Sequence, residues 1–501
     1  MSTLTALARA QALAAGVAQP IATVRHLHLS QRPLVFVPLT MAGEANAPLA
    51  ALVGTDPDHP KLLIVAQPRN RDQRFAFAAE LASILVAYVD GHCGVSETVD
   101  GGRGKDPRQR YLDAPQILVP NPAGISFVRL FGRSTRFRRT DGDYPVHPSV
   151  PLLGRWLTFF AERAEHPGSS ALLAMTEALT LHWATGQSAM EDQNLAALLG
   201  WLDPPPGLTG PQAAARAEDP ATWPPAGPVT DPGFDNERLA PAIAAYQAAL
   251  DDEGARLLAY AELERLLRDQ LEPTWRLMWR GVAKLRELTP GARVEGRWVA
   301  DRDAFTGYAE YVQSGESYPQ PRRDGAVAAA QRLDRLERAQ ASYAAQRAYD
   351  DPLVMADHRL TGEAFAGVVT MAKPDRVDDT GKRPVLRPRI MVLAEDPVAL
   401  APGAAVYSPA RSAQKATVVF VTPTDGSRTE VVLELSGGMG RSLTAPPGSV
   451  PEVGERVTYT TLNDTYRPGA ALPTREETPW THGGPPPEYT PSEQDAAEDW
   501  S

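Results

Sequence analysis

The chain has 501 residues, 43% hydrophobic and 22% charged, with a formal net charge of −11 and one cysteine. That composition belongs to an ordinary globular protein with room for about two to four domains. It excludes an intramolecular disulfide and a cysteine-rich zinc site, and no apolar run reaches the roughly 18 residues of a membrane span. Only six of the basic residues are lysines, and Ala, Pro and Gly abound. We read this as a high-GC coding bias of a bacterial sequence, so arginine content alone carries little functional weight. The charge is uneven. Residues 1–200 are nearly balanced, whereas residues 201–501 hold 44 acidic against 32 basic side chains. A generally acidic chain does not advertise nucleic-acid binding, though a local basic patch still can.

Residues 1–29 open with an Ala-rich stretch that resembles a secretion signal, but Arg9 interrupts its apolar centre. The expectation is an N-terminal helix and a cytoplasmic protein. Residues 30–203 read as an α/β domain. The short apolar runs at 34–39, 61–67, 116–121 and 125–131 have the form of buried strands. Residues 72–91 form a helix between the second and third, with Asp72 near its start. Helices are expected again at 151–166, at 169–186 and just before the Asp203-Pro204 stop. Residues 204–234, rich in Pro and Gly, read as a linker or extended arm that Trp201, Trp223 and Phe234 can pin to a neighbouring surface.

Residues 235–351 carry leucines at three- and four-residue steps, the mark of amphipathic helix. Pro273 and Pro290 should break or kink the first arm, and an irregular stretch over 290–322 would let two arms fold back as a central helical hairpin. Residues 352–464 then show six β-rich runs, at 363–372, 388–395, 404–409, 415–424, 429–436 and 455–462. Turn residues separate them, which predicts a small closed or half-closed β-barrel. Residues 465–501 are Pro-rich and acidic and read as a disordered tail. The fold class is therefore α+β and multidomain.

The clearest functional cue is the run 103–139, with nine basic residues against two aspartates. Its members include Arg108, Arg110, Arg129, Arg133, Arg136, Arg138 and Arg139, with Phe131 and Phe137 interleaved. Guanidinium forks match phosphate oxygens, and aromatic faces stack on bases. Equally, these arginines could pair with carboxylates of the neighbouring helices. A second group, Arg69, Arg71 and Arg74, follows a strand and opens a helix, where amides and the helix dipole favour an anion. The plain alternative is a capped loop-to-helix turn.

Other motifs fail. GGRGKD (101–106) lacks the first Gly and the Ser or Thr of a phosphate loop, and SGGMGRS (436–442) reads as a hairpin loop. No HExxH or similar histidine spacing implies a metal, no GxSxG marks a serine hydrolase, and no cofactor is implied. Cys93 beside His92 reads as an ordinary cysteine. Trp275 and Trp279 sit one helical turn apart and are either core residues or a partner surface.

Three readings follow. The first is a non-enzymatic accessory or scaffold protein of a nucleic-acid-associated complex, binding a polyanion or protein partner through the Arg/Phe patch. The second is an enzyme acting on a phosphorylated substrate in the N-terminal domain. The third is a structural subunit assembling with partners or copies through the hairpin. No membrane role is expected.

Overall fold

The computed structural model describes residues 2–44, 47–101, 104, 106–315, 326–381, 383–424, 428–465, 469 and 490. The acidic tail lies almost wholly outside them. The chain divides into two compact units, residues 7–333 and residues 334–470 with 1–6. No helix among the described residues is long and apolar enough to cross a membrane.

The first unit begins with helix α1 (Thr3–Ala15), which crosses the unit boundary. Strands β1 (Leu34–Thr40), β2 (Pro48–Gly54) and β3 (Lys61–Ile64) follow, then helix α2 (Arg71–Asp90) and a hairpin of β4 (Ser96–Val99) with β5 (Arg108–Tyr111). Strand β6 (Ile117–Val119), helices α3 (Pro122–Thr135) and α4 (Ser149–Ala164), strand β7 (Leu172–Ala174) and helix α5 (Leu195–Leu202) come next. The 34-residue α6 (Glu253–Arg286) and α7 (Val294–Gln313) complete the unit. The main sheet runs β3-β2-β1-β6-β7. β2 is antiparallel to both neighbours, and β1, β6 and β7 are parallel, so β1, β3, β6 and β7 all point one way.

Every residue of β1 is buried, and its alternation feeds two cores. Val35, Val37 and Leu39 face one cluster with Leu263, Leu267 and Met278 of α6. Leu34 and Phe36 join the other, with Phe77 and Leu81 of α2, Phe127 of α3 and Leu153 of α4. A strand apolar on both faces requires helices on both faces. Burying each of these large side chains contributes about 1.5–3 kcal/mol.

Several expectations are corrected. The run 125–131 is not a strand but the middle of α3. Asn121 caps it by accepting from Gly124 N, Pro122 occupies the first turn, and Phe127 and Phe131 recur one turn apart on the buried face. Residues 169–186 give β7 and a short helix, Met175–Thr180, rather than one helix. β2 was not anticipated, because PLAALVG carries no β-branched alternation. Residues 204–234, read as a linker or pinned arm, also contain a helix: Gly210–Glu218 has a capping box, and Ala213, Ala214 and Ala217 are buried. The central hairpin also differs. α6 passes through Pro273 without a break, because the burial of Leu271, Trp275 and Met278 offsets the roughly 3 kcal/mol of an interior proline. Residues 294–313, expected to be irregular, are helix α7.

Helix α8 (Ala326–Asp350) crosses into the second unit, where α9 (Pro352–Leu360) precedes the barrel. β8 (Ala364–Lys373), β9 (Arg389–Ala394), β10 (Ala405–Tyr407), β11 (Lys415–Pro423), β12 (Thr429–Ser436) and β13 (Arg456–Thr460) match the six predicted runs. They form a closed antiparallel barrel in the order β8-β9-β12-β11-β10-β13, with β13 pairing back onto β8. Burial alternates strictly along β9 and β12, filling the interior with residues such as Ile390, Val392, Val431 and Leu433. Met439 of the Gly-rich 436–442 segment is buried in that core, so this loop plugs the barrel.

Candidate polyanion-binding cleft

The two arginine groups meet in one cleft. Asn70 caps α2, its Oδ1 accepting from Asp72 N at 3.0 Å and Gln73 N at 3.1 Å. Asp72 therefore lies inside the first turn rather than at the cap, and two of the amides that would attract an anion are already satisfied. The cap sets Arg71, Arg74 and Phe75 along the start of the helix. From the other side, α3 ends at Thr135, where it crosses α4 at Gly154. A Cβ at position 154 would lie 2.2 Å from Arg136 N, so only glycine permits this crossing. The chain then runs out through Phe137, Arg138 and Arg139 and is drawn back when Val146 N donates to Arg139 O.

Between these segments lies a cleft of about 900 Å³. Its lining includes Arg71, Arg74, Arg138 and Arg139, with Phe75, Phe137 and Tyr144. Arg71 lies over the Phe75 ring at 4.7 Å and the Tyr144 ring at 5.7 Å, and donates to Tyr144 O at 2.8 Å. Arg138 lies over the other part of the same system, 5.1 Å from the Phe75 centroid. Guanidinium held against an aromatic face keeps its charge while losing mobility. Tyr144 is 77% exposed. Glu44, Asp141 and Asp143 line the cleft as well, so it is mixed in charge. Gly43 and Glu44 follow β1, and Arg71 follows β3. The cleft thus sits by the carboxyl ends of these strands, where α/β sheets commonly bind ligands.

The remaining predicted residues fall elsewhere. Arg69 is exposed, with Nε 3.4 Å from Glu44. Arg133 is exposed on α3 but does not line the cleft, and Arg129 pairs with Glu165 at 3.1 Å. Arg136 is half-buried with its guanidinium 4.4 Å from the Phe137 ring. Arg108 and Arg110 sit on β5, away from the cleft lining. Arg108 pairs with Asp303 at 2.6 Å and Arg110 with Glu97 at 2.8 Å. Hydrogen bonding from Arg110, and then from Arg302, holds the Glu97 carboxyl below its ordinary range. Arg103 and Lys105 lie outside the described residues. Trp275 is a core residue, 3% exposed, with Nε1 donating to Pro57 O at 2.8 Å, and it offers no surface to a partner. Trp279 is half-buried against the same core, 5.9 Å from Trp275.

Phe75, Tyr144 and the three carboxylates were not singled out in the sequence. Tyr144 ends the DGDY segment just past the arginine run, which is the one available signal. No group of three or more His, Cys, Asp or Glu among the described residues is placed to hold a metal ion. Burial pushes the Cys93 thiol up, which disfavours the thiolate. The arrangement can bind an anion and stack a planar group. No family model, curated protein or solved structure matches this chain.

Proposed function

We propose that this chain is a non-catalytic accessory or scaffold protein of a nucleic-acid-associated complex, and that it holds a single-stranded polyanion in the arginine–aromatic cleft. One observation carries the reading. Arg71 and Arg74 converge with Arg138 and Arg139, about sixty residues later, around the rings of Phe75, Phe137 and Tyr144. Phosphates need the guanidinium forks, and unstacked bases need the exposed ring of Tyr144, a combination that duplex DNA cannot use. The test is binding of labelled single-stranded DNA, RNA and duplex DNA over a salt series. The wild type is compared with a chain carrying Arg74→Ala, Arg138→Ala and Arg139→Ala. Steep loss of affinity with salt, a shallower slope in the variant and preference for single strands support the reading. Absence of binding at about 50 mM salt, where phosphate contacts are strong, sinks it.

A second reading, an enzyme acting on a small phosphorylated substrate, is favoured by Glu44, Asp141 and Asp143 lining the same cleft. Carboxylates beside phosphate-binding arginines can serve as acid or base. Release of inorganic phosphate from a panel of phosphate esters, abolished by Asp141→Asn or Asp143→Asn, would support it; no release from any ester counts against it.

A further inference from the structure

The carboxyl ends of β1 and β6 are adjacent, and the chain leaves them in opposite directions. β1 turns back into β2 on one side, and β6 proceeds through α3 and α4 to β7 on the other. A crevice at such a switch point is where open α/β sheets take their ligands. Here it is occupied by the chain itself. Residues 226–230, within the Pro/Gly-rich stretch, lie across it with 226, 228 and 230 buried, 227 half-buried against Asn121 and 229 exposed. Thr40 N donates to Pro228 O at 2.5 Å and Thr230 N donates to Thr40 O at 3.0 Å, making a parallel bridge between Thr40 and Val229, and Thr40 Oγ1 also donates to Pro228 O at 3.0 Å. Asn121 Nδ2, at the cap of α3, donates to Ala226 O at 3.4 Å. A Cβ at Gly227 would come within 3.0 Å of that same nitrogen, so the position calls for the smallest residue.

The protein atoms that hold this segment bond mainly to its backbone, which any extended peptide of suitable bulk offers equally. Main-chain bonds with alternating side-chain pockets are how an added strand is recognised. Two buried polar atoms on residues bonded beside these anchors lack partners among the described residues. Thr176 Oγ1, whose own amide bonds to Pro120 O next to Asn121, is buried without a partner among the described residues. So is Asp235 Oδ1 at the segment's exit, although its Oδ2 accepts from Ala42 N at 2.9 Å. Buried polar atoms left unpaired are costly, so an occupant bringing donors to them would be held more firmly.

We infer that this crevice is a peptide-binding site for an extended segment of a partner protein, with small or proline residues at alternate positions, and that Ala226–Thr230 is its occupant in cis. The inference is independent of the arginine cleft. Tethering at both ends gives the cis segment an effective concentration on the order of millimolar. A partner peptide therefore binds only when that segment yields.

The test uses the full chain with residues 224–230 replaced by Gly and Ser at unchanged length. A fluorescent peptide of residues 221–234 serves as probe, read by anisotropy. At least tenfold tighter binding to the replaced chain than to wild type is expected. No peptide binding by a replaced chain whose circular dichroism and thermal unfolding match wild type overturns the inference. Should that chain not fold, native-state hydrogen exchange of the wild type decides. The Thr40 and Thr230 amides should exchange through an opening less costly than that of Val37 and Leu52 in the central strands. Exchange of all four only on global unfolding overturns it.

Discussion

Arginines of the β-barrel and arginines of the cleft behave differently, although the sequence presents them alike. In the barrel, Arg411 holds Glu455 at 2.8 Å, Arg376 and Arg389 converge on Glu434, and Arg359 and Arg456 share Glu395. Their charge is spent on carboxylates of the same unit, and only Arg389 and Glu434 face each other across adjacent strands. In the cleft, Arg71 and Arg138 lie on aromatic rings, Arg71 also pairs with the exposed Asp72 at 3.0 Å, and Arg138 and Arg74 donate to the carbonyls of Ser134 and Arg69. In a chain so rich in arginine, the partner of a guanidinium carries the functional information, and its number does not.

The largest expected effect belongs to an arginine paired with a buried carboxylate. Arg163 meets Asp301 at 2.6 Å, and Asp301, 2% exposed, also accepts from Ser169 Oγ and Ser170 N at 2.7 Å each. Asp301→Ala leaves that guanidinium and those donors stranded. We expect a loss of about 3–5 kcal/mol in urea unfolding. A loss under 1 kcal/mol would mean that pairing with a buried carboxylate does not make an arginine structural.

Beside this network, His28 stacks on Trp298 with centroids 3.9 Å apart, and burial pushes its pKa down to about 4 from 6.5. Between pH 6.5 and 4 the unfolded chain binds a proton that the folded chain refuses. Stability should therefore fall as pH drops through that window and level off below it, by up to about 3 kcal/mol. Chemical denaturation at pH 7, 5.5 and 4 checks the slope, which His28→Gln should flatten.

Two double variants separate the cleft arginines from those paired on β5. Arg138→Ala with Arg139→Ala should flatten the dependence of polyanion affinity on salt by about one per phosphate-contacting residue. Stability should fall by about 1 kcal/mol, since Arg138 lies on Phe75 and donates to Ser134 O. Arg108→Ala with Arg110→Ala, which removes arginines already paired with Asp303 and Glu97, should leave the affinity unchanged. Equal effects from the two pairs would break the distinction.

The smallest effect belongs to the barrel. Arg411→Ala should cost no more than about 1 kcal/mol, since both partners are partly solvated. The Glu455 carboxyl is held below its usual range, first by its hydrogen bond from Arg411. The contribution is thus present above the unfolded carboxylate pKa and lost as pH falls through the lower folded value. Thermal melts of wild type and variant should converge on acidification; a constant gap would refute this linkage.

The barrel was legible because six short β-rich runs are separated by turn residues, and burial alternates strictly along two of the strands they form. The long helix α6 was legible from its leucine spacing, and β1 from its continuous apolar run. What local pattern could not decide was set by contacts distant in sequence. ISFVRLF suits a strand or a buried helix equally, and the cap at Asn121 with the helical neighbours of Phe127 and Phe131 selects helix. Pro273 stays inside α6 because the sheet buries the residues around it. The Pro-rich 226–230 segment becomes ordered because Thr40 and Asn121 offer it bonds. The basic run is divided by the fold: Arg108 and Arg110 go to carboxylates from Glu97 and Asp303, and Arg138 and Arg139 go to a cleft with Arg71. The sequence by itself determined which segments could be strand, helix or barrel, since periodicity is local. Only the tertiary structure decided which arginines were neutralised and which were brought together, because pairing depends on distances in space that spacing along the chain does not encode.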